Sequence, residues 1–348
     1  MSIPYRTRRV LNRIGIVALV LLLILIVVWL CCTIWLQRYV VYTDGGAKLD
    51  FKLSANEVSG EIAQEPVAEH NISIYYNEGA DAINTSNDLT QISGYYITSD
   101  MFQDNMDNLL VQLERLESGT AIMIDMKGSQ GTFYYPSNLA GATISASTDT
   151  AAVSSLVQKL QSKGFYTIAR ISALQDYYFG LNNVPSGLMH ISKKGLWPDG
   201  STYWLDPTST GTTNWISSVV LELKGMGFDE VVLDKFYFPN SDQYIFTGDK
   251  DAALQAAAVT LLESCGSSDF VLSFCTNSAT FELPGERCRL YVSGVNAAGI
   301  AETVSSVSLE EPELHLVFLS DSGDTRYDDY GVLRTLYIAE EVEARKAG

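Results

Sequence analysis

Histidine is scarce in this 348-residue chain, which contains three. They are His70, His190 and His315, and they lie far apart, without the short spacings at which histidines bind one metal ion together. We therefore predict no metal site and no cofactor. The same scarcity argues against a catalytic triad that depends on a histidine base.

The cysteines indicate no site either. Cys31 and Cys32 lie within a long apolar run near the N-terminus. The remaining three, Cys265, Cys275 and Cys288, form an odd set without CxxC spacing. They allow at most one disulfide and leave one thiol over.

Three common catalytic and nucleotide-binding motifs are also missing. No GxGxxG or GxxxxGK[ST] sequence follows a candidate strand, which argues against a doubly wound nucleotide-binding sheet. The GxSxG elbow of esterases is absent too, and no histidine is placed to act as its base. An esterase or deacetylase is therefore the least favoured of the enzyme classes considered below.

Positive charge is in deficit, with 23 basic residues against 41 acidic ones. Five of the basic residues precede position 39, where no acid occurs, so the rest of the chain carries 18 basic residues against 41 acids. Such a domain repels polyanions. We predict no nucleic-acid partner.

The N-terminal region predicts a membrane anchor. Residues 14–36 are 23 positions without a charge, and a bilayer core needs about 20. A cleaved signal peptide would have a shorter apolar region, about 7–15 residues, followed by small residues. This run instead ends among Trp29, Cys31, Cys32 and Trp35. We expect the helix to stay and the lipid bilayer to be a partner.

The orientation of this anchor follows from Arg6, Arg8, Arg9 and Arg13, which precede it. Positive residues stay on the cytoplasmic side. We expect a single-pass protein of the cell membrane with a cytoplasmic tail at 1–13, a transmembrane helix at 14–36 and an extracellular C-terminal domain. Residues 37–90, rich in Asn, Ser, Glu and Gly, are typical of a stalk or linker.

From residue 91 onward, short apolar runs alternate with amphipathic ones. The predicted strands are 92–98, 121–126, 166–171, 230–236, 270–276, 289–292 and 314–319. The predicted helices are 104–116, 148–163, 214–226, 251–263, 297–307 and 330–345. This alternation predicts an α/β fold, a TIM-type (β/α)8 barrel over 91–348. Seven strands are clear. An eighth could be 202–205 or 72–76, or the barrel could be incomplete.

The active site of such a barrel lies where its strands end. Charged residues follow several of the predicted strands, and an aromatic-rich sequence, YWLDP, precedes the fourth helix. The candidate site residues are Asp125, Lys127, Arg170, Trp204, Asp206, Asp234, Lys235, Tyr237 and Asp321.

Convergent carboxylates are what glycoside hydrolysis requires, because one donates a proton and another attacks the sugar or activates water. We expect Asp234 and Asp125 to be catalytic, with Lys127, Arg170 and Lys235 orienting or tuning them. A structural alternative stays open for Asp125 and Lys127, which share a strand face and could simply pair with each other or with Arg170.

The residues expected to contact substrate are Trp204, Asp206, Tyr237 and Asp321. The aromatic side chains offer flat faces for a sugar ring, and the two acids offer hydrogen-bond acceptors. Here too a structural alternative stays open. Asp206 precedes a proline and Asp321 lies in the sequence SDSGD, so either could be a turn residue.

Five motifs in order resemble a family of bacterial barrel domains described as glycosyl hydrolase-like and long catalogued as a domain of unknown function. They are GYYIT at 94–98, IDMK at 124–127, ARI at 169–171, WLDP at 204–207 and GFDEVVLDKFYFP at 227–239. The resemblance implies a glycosidase barrel that is distantly similar to alpha-amylase-type enzymes. It implies that Asp234, at the end of strand four, is the nucleophile or charge stabiliser.

The chain departs from that family in places. Gly128 and Ser129 stand where acids usually follow the strand-two lysine, and Tyr237 stands where an arginine is usual. Amylase-like barrels place a glutamate proton donor at the end of strand five. The nearest acids here are Glu282 and Glu286, so the donor is one of these or is missing.

Two functions follow from this sequence. The first is a membrane-anchored, extracytoplasmic glycoside hydrolase acting on a poly- or oligosaccharide. The second is a catalytically inactive barrel that binds glycan or scaffolds proteins of the cell envelope.

Overall fold

The computed structural model describes residues 40–43, 46–49, 89–278, 280–307 and 309–336. The predicted cytoplasmic tail, the transmembrane helix at 14–36 and most of the stalk lie outside these ranges. Within them, no helix has both the length and the apolar character needed to cross a bilayer. The chain divides into two units, Met1–Asp81 and Ala82–Gly348. In the first, Val40–Thr43 pairs antiparallel with Gly46–Leu49.

Eight parallel strands form the core of the second unit. They are β1 (Ser93–Ile97), β2 (Ala121–Lys127), β3 (Tyr166–Ser172), β4 (Glu230–Asp234), β5 (Val271–Phe274), β6 (Leu290–Ser293), β7 (Leu316–Leu319) and β8 (Gly331–Thr335). Each pairs with its neighbours in chain order, and β8 pairs with β1 to close the sheet. The predicted α/β barrel of TIM type is confirmed, and it is complete.

The eighth strand corrects one prediction. β8 lies in the stretch 330–345 that the sequence pattern assigned to a helix, and that assignment is wrong for Gly331–Thr335. These five residues are too few for their sequence pattern to show that they pair with other strands. In the fold, their backbone forms hydrogen bonds to β7 on one side and to β1 on the other. Of the other candidates, Thr202–Tyr203 pairs antiparallel with Pro198–Asp199 outside the barrel. The stretch 72–76 lies outside the described residues.

Helices occupy the other five predicted helical stretches and several shorter segments. They are α1 (Ser99–Asp104), α2 (Met106–Glu114), α3 (Thr150–Ser162), α4 (Tyr177–Asn182), α5 (Thr210–Gly225), α6 (Lys250–Cys265), α7 (Ile300–Ser306) and α8 (Pro312–His315). Short 3-10 helices cover Val184–Ser186 and Thr325–Asp329. Short strands at Thr132–Phe133 and Thr143–Ile144 extend the sheet beyond β2, and Met189–His190 pairs with Tyr244–Ile245.

The apolar side chains form two separate clusters. One fills the barrel interior and includes Met123, Ile168 and Val232, while the larger one packs the outer strand faces against the helices. Side chains alternate along a strand. Residues two positions after these three therefore also face inward, which places Asp125, Arg170 and Asp234 at one end of the barrel interior.

A buried ion pair closes the opposite, N-terminal end of the interior. Arg289 donates to Glu230 at 2.5 Å, and both side chains are at most 1% exposed. Glu230 also accepts bonds from Tyr166 at 2.9 Å, Ser273 at 2.6 Å and Tyr291 at 2.9 Å. Residues at the N-terminal face of such a barrel usually contribute to stability and not to catalysis. We assign this network to folding.

Candidate active site

One arginine links the two predicted catalytic carboxylates at the carboxyl end of the barrel. Asp125, Arg170 and Asp234 lie on the successive strands β2, β3 and β4, with Asp125 directly opposite Arg170 in the register. One guanidinium nitrogen of Arg170 donates to Asp234 Oδ2 at 2.6 Å, and the other donates to Asp125 Oδ1 at 3.2 Å. The two contacted oxygens are thus at most about 8 Å apart, given the width of a guanidinium group.

Asp125 is largely buried, and several polar groups contact its carboxyl group. Its carboxylate accepts bonds from the Tyr96 hydroxyl at 3.2 Å and the Ser99 backbone N–H at 3.1 Å. The Tyr96 hydroxyl also accepts a bond from Arg170. Burial raises the pKa of Asp125 to about 7; the Ser99 N–H opposes this rise, and the charges of Asp234 and Asp100 add to it.

Asp234 ends β4 and is only 8% exposed. It forms the closer of the two ion pairs with Arg170, and the Cys275 thiol lies beside it. Burial, followed by the charge of Asp234, raises the pKa of Cys275 to about 12, so the thiol stays protonated. The two carboxyls therefore differ: Asp234 makes the closer contact with Arg170, while burial raises the pKa of Asp125 to about 7.

Lys127 is directed away from the pair by a bulge in β2. The register with β3 shifts between Asp125 and Lys127, which breaks the simple alternation of faces. The Lys127 ammonium instead contacts Asp176 at 2.8 Å and the Ser172 carbonyl at 2.8 Å. Asp176 also accepts bonds from the Trp215 indole at 3.1 Å and caps α4. The charge of Lys127 is thus balanced within the supporting loops.

Two cavities flank the Arg170–Asp234 ion pair and share both residues. One has a volume of about 250 Å³ and the other about 220 Å³. The first is also lined by Tyr96, Cys275, Ser293, Leu319, Ser320, Asp321, Leu333 and Thr335. The second is also lined by Ser99, Asp125, Lys127, Gly128, Ser129, Tyr134, Ser172 and Lys235. Ligand pockets begin at about 300 Å³, so each cavity is small and has room for at most one small unit.

Of the four residues predicted to contact substrate, Asp321 lines one of the two cavities, and the other three line neither. Asp321 lines the first cavity and accepts a bond from the Thr335 N–H at 3.1 Å. Trp204 is buried, donates to Asp199 at 2.7 Å and packs against Tyr237 at 5.2 Å between ring centroids. Asp206 accepts bonds from the backbone and hydroxyl of Thr208 at 2.8 and 2.6 Å in a turn. A sugar contact for Trp204, Tyr237 and Asp206 stays a prediction.

The two glutamates considered as proton donors lie elsewhere. Glu282 and Glu286 line a separate cavity of about 680 Å³, together with His315, which precedes β7. The Glu282 backbone is bonded to Gln255 of α6. Neither glutamate lines the two cavities at the ion pair. Among the described residues of those cavities, Asp125 is the acid whose pKa suits proton donation.

Several residues of the site were not among the candidate site residues predicted from the sequence. Tyr96 and Ser99 contact Asp125, Cys275 lies beside Asp234, and Asp176 balances Lys127. Alternation along β1 from Gly94 would have placed Tyr96 inward with Asp125. Asp176 carried no comparable signal, because its partner is 49 positions away and is reached only through a bulge.

Residues 94–266 match a family described as "Putative glycosyl hydrolase domain". The resemblance seen in the five motifs is thereby confirmed, and the matched segment contains Asp125, Arg170 and Asp234. No curated protein matches the chain.

Solved structures with a similar fold include glycosidase barrels. A variant alpha-galactosidase from Geobacillus stearothermophilus, in complex with stachyose, has a TM-score of 0.50 and 10% identity over 74% of this chain and 41% of its own. An alpha-galactosidase from Lactobacillus brevis has a TM-score of 0.49 and 12% identity over 75% of this chain and 40% of its own. The chain thus spans about two fifths of these enzymes, and the likeness concerns the fold alone.

A third similar structure is a hypothetical protein from Ruminiclostridium thermocellum. It has a TM-score of 0.46 and 19% identity over 52% of this chain and 96% of its own.

Proposed function

We propose that this protein is a glycoside hydrolase that cleaves a poly- or oligosaccharide, with Asp234 and Asp125 as its catalytic pair. The observation that carries the proposal is the bridging of two inward-facing carboxyls by Arg170, which lies closer to Asp234 than to Asp125, together with the burial that raises the pKa of Asp125 to about 7. Glycosidases need such a division between an ionised group and a proton donor. The match of residues 94–266 to a family described as a glycosyl hydrolase domain supports the same chemistry.

In this mechanism, Asp234 attacks the anomeric carbon or activates water, and Asp125 protonates the departing oxygen. Arg170 orients Asp234 through their ion pair at 2.6 Å and fixes the spacing of the two groups. The bound of about 8 Å on their contacted oxygens is compatible with the separations at which both retaining and inverting enzymes operate, about 5–5.5 Å and 6.5–9.5 Å. The hydroxyl-lined cavities on either side of the pair would hold adjoining sugar units.

We further propose that residues 14–36 anchor the protein in the cell membrane with the barrel on the extracytoplasmic side. The support is the uncharged run of 23 residues and the four arginines that precede it. A hydrolase so placed would meet glycans of the envelope or of the surroundings.

The division of roles can be tested with leaving groups of different quality. The full chain and its Asp125→Ala and Asp234→Ala variants would be assayed on a panel of p-nitrophenyl glycosides and on native oligosaccharides. A nitrophenolate leaves without a proton donor, so Asp125→Ala should keep far more activity on the aryl glycosides than on native substrates. Asp234→Ala should lose both. Equal losses for the two variants on both substrates would contradict the assignment.

A glycan-binding barrel without catalysis is the second candidate. It is favoured by one observation, that Arg170 occupies both carboxylates at once in a site with small cavities. In that case the wild type and the Asp234→Asn variant would bind the same glycans and release no sugar from any of them.

A further inference from the structure

Lys235 follows Asp234 directly and has an unusual backbone conformation. Its φ is +56°, in the left-handed region that a side chain with a Cβ rarely adopts. Hydrogen bonds fix the chain on both sides: the Asp234 carbonyl accepts from Ala173 at 2.8 Å, and the Phe236 N–H donates to the Cys275 carbonyl at 3.1 Å. Strained residues of this kind are concentrated at functional sites.

The other cations of the same cavity are already matched by acids. Lys127 pairs with Asp176, and Arg170 makes its closer contact with Asp234. Among the described residues, Lys235 forms no ion pair; its ammonium lies 5.9 Å from the centre of the Tyr237 ring. The remaining acid of the cavity, Asp125, is also paired with Arg170. Lys235 is therefore a cation lining this cavity that has no ion-pair partner among the described residues.

The two cavities differ in charge because of this lysine. The cavity of about 220 Å³ contains Lys235 beside the hydroxyls of Ser99, Ser129 and Tyr134. The cavity of about 250 Å³, on the other side of the ion pair, has hydroxyl groups and the carboxylate of Asp321. An anionic group is thus favoured on the Lys235 side and disfavoured on the other.

We propose that Lys235 makes the smaller cavity a subsite for a sugar unit with an anionic substituent, such as the carboxylate of a uronic acid. The proposal rests on the proposed function, because it places this unit next to the bond that Asp125 and Asp234 cleave. The larger cavity then takes a neutral unit. Since the whole chain has a net charge of −18, a densely charged polyanion would be repelled. The fitting ligand is a glycan in which acidic units are interspersed with neutral ones.

Binding of simple sugars tests the subsite independently of catalysis. The probes would be glucose, galactose and mannose, each paired with its uronic acid, and glucose 6-phosphate to separate a carboxylate from a phosphate. Affinities for the full chain would be measured by ligand-observed NMR titration. We expect at least one anionic sugar to bind about ten-fold tighter than its neutral counterpart at low salt.

Three variants complete the design. Lys235→Met should abolish the anionic preference, and Lys235→Gly should do the same while relieving the strained backbone. Lys193→Met is the matched control, because Lys193 also has a left-handed φ of +58° but lies exposed in a turn. It should leave the preference unchanged.

The outcomes separate this proposal from the proposed function. Equal affinity for neutral and anionic sugars in the wild type, no binding of any probe, or a preference that survives both Lys235 variants would overturn the subsite. The same preparations would be assayed for hydrolysis of uronate-containing and neutral polysaccharides. A lysine-dependent preference without hydrolysis would sustain the subsite and overturn the hydrolase. Hydrolysis without the preference would do the reverse.

Discussion

Replacing Asp125 with asparagine should make the protein more stable at alkaline pH. Burial raises the pKa of Asp125 from 3.8 to about 7 in the folded chain. Below about pH 4, Asp125 is mostly protonated in both the folded and the unfolded states, so its ionisation takes little from the free energy of unfolding. As the pH rises to 7 the unfolded state loses its proton first, so folding becomes less favourable. A shift of about 3 units corresponds to at most about 4 kcal/mol.

An asparagine does not ionise and so escapes this loss. For a domain of this size, about 1 kcal/mol moves the Tm by roughly 2–4 °C. Because the amide reproduces only part of the hydrogen bonding of a protonated carboxyl, we expect the Tm of Asp125→Asn to exceed that of the wild type by at least about 4 °C at pH 8. At pH 4 most of this advantage should be absent, because Asp125 is then protonated in the folded wild type.

The measurement is thermal unfolding of the full chain by circular dichroism at pH 4, 6 and 8. Asp104→Asn is the control, since Asp104 is exposed at the end of α1 and should give no pH-dependent difference. A Tm difference for Asp125→Asn that is the same at all three pH values would refute the reasoning. So would a loss of stability confined to pH 8.

Three further predictions concern the same molecule. The kcat/KM should fall as the pH rises through about 7, because Asp125 must carry the proton; a profile that is flat from pH 5 to 9 would exclude it as the donor. Arg170→Met should lower kcat/KM roughly 100-fold with the fold retained by circular dichroism, because Asp234 loses its orienting contact; unchanged kinetics would contradict this. Glu230→Gln should cost about 3–5 kcal/mol in urea unfolding, because Arg289 is left buried without a counter-ion, and a loss below about 1 kcal/mol would contradict it.

Much of the barrel could be predicted because its strands and helices are encoded locally. Seven apolar runs of strand length alternate with amphipathic stretches, and each predicted run contains a strand. The same local rule placed Asp125, Arg170 and Asp234 at strand ends. β8 was not predicted because no local feature distinguishes Gly331–Thr335 from the start of a helix. This strand is stabilised by pairing with β7 and β1, and β1 lies far away in the sequence.

The choice of partners within the site could not be predicted in the same way. Lys127 lies two positions after Asp125, yet a bulge directs it to Asp176. The high pKa of Asp125 depends mainly on its burial, which only the closed barrel creates. The pairing of Glu230 with Arg289 likewise joins two residues at the starts of strands that are not neighbours. These features arise from the assembled barrel.

The measurement that tests the central claim most directly is the release of reducing ends from a broad panel of envelope and plant polysaccharides. The full chain would be compared with its Asp234→Asn and Asp125→Asn variants, with Asp104→Asn as the control. The account predicts that the wild type and the control release sugar from at least one glycan and that both site variants lose most of this activity. Release that persists in Asp234→Asn, or no release by the wild type from any glycan, would contradict it.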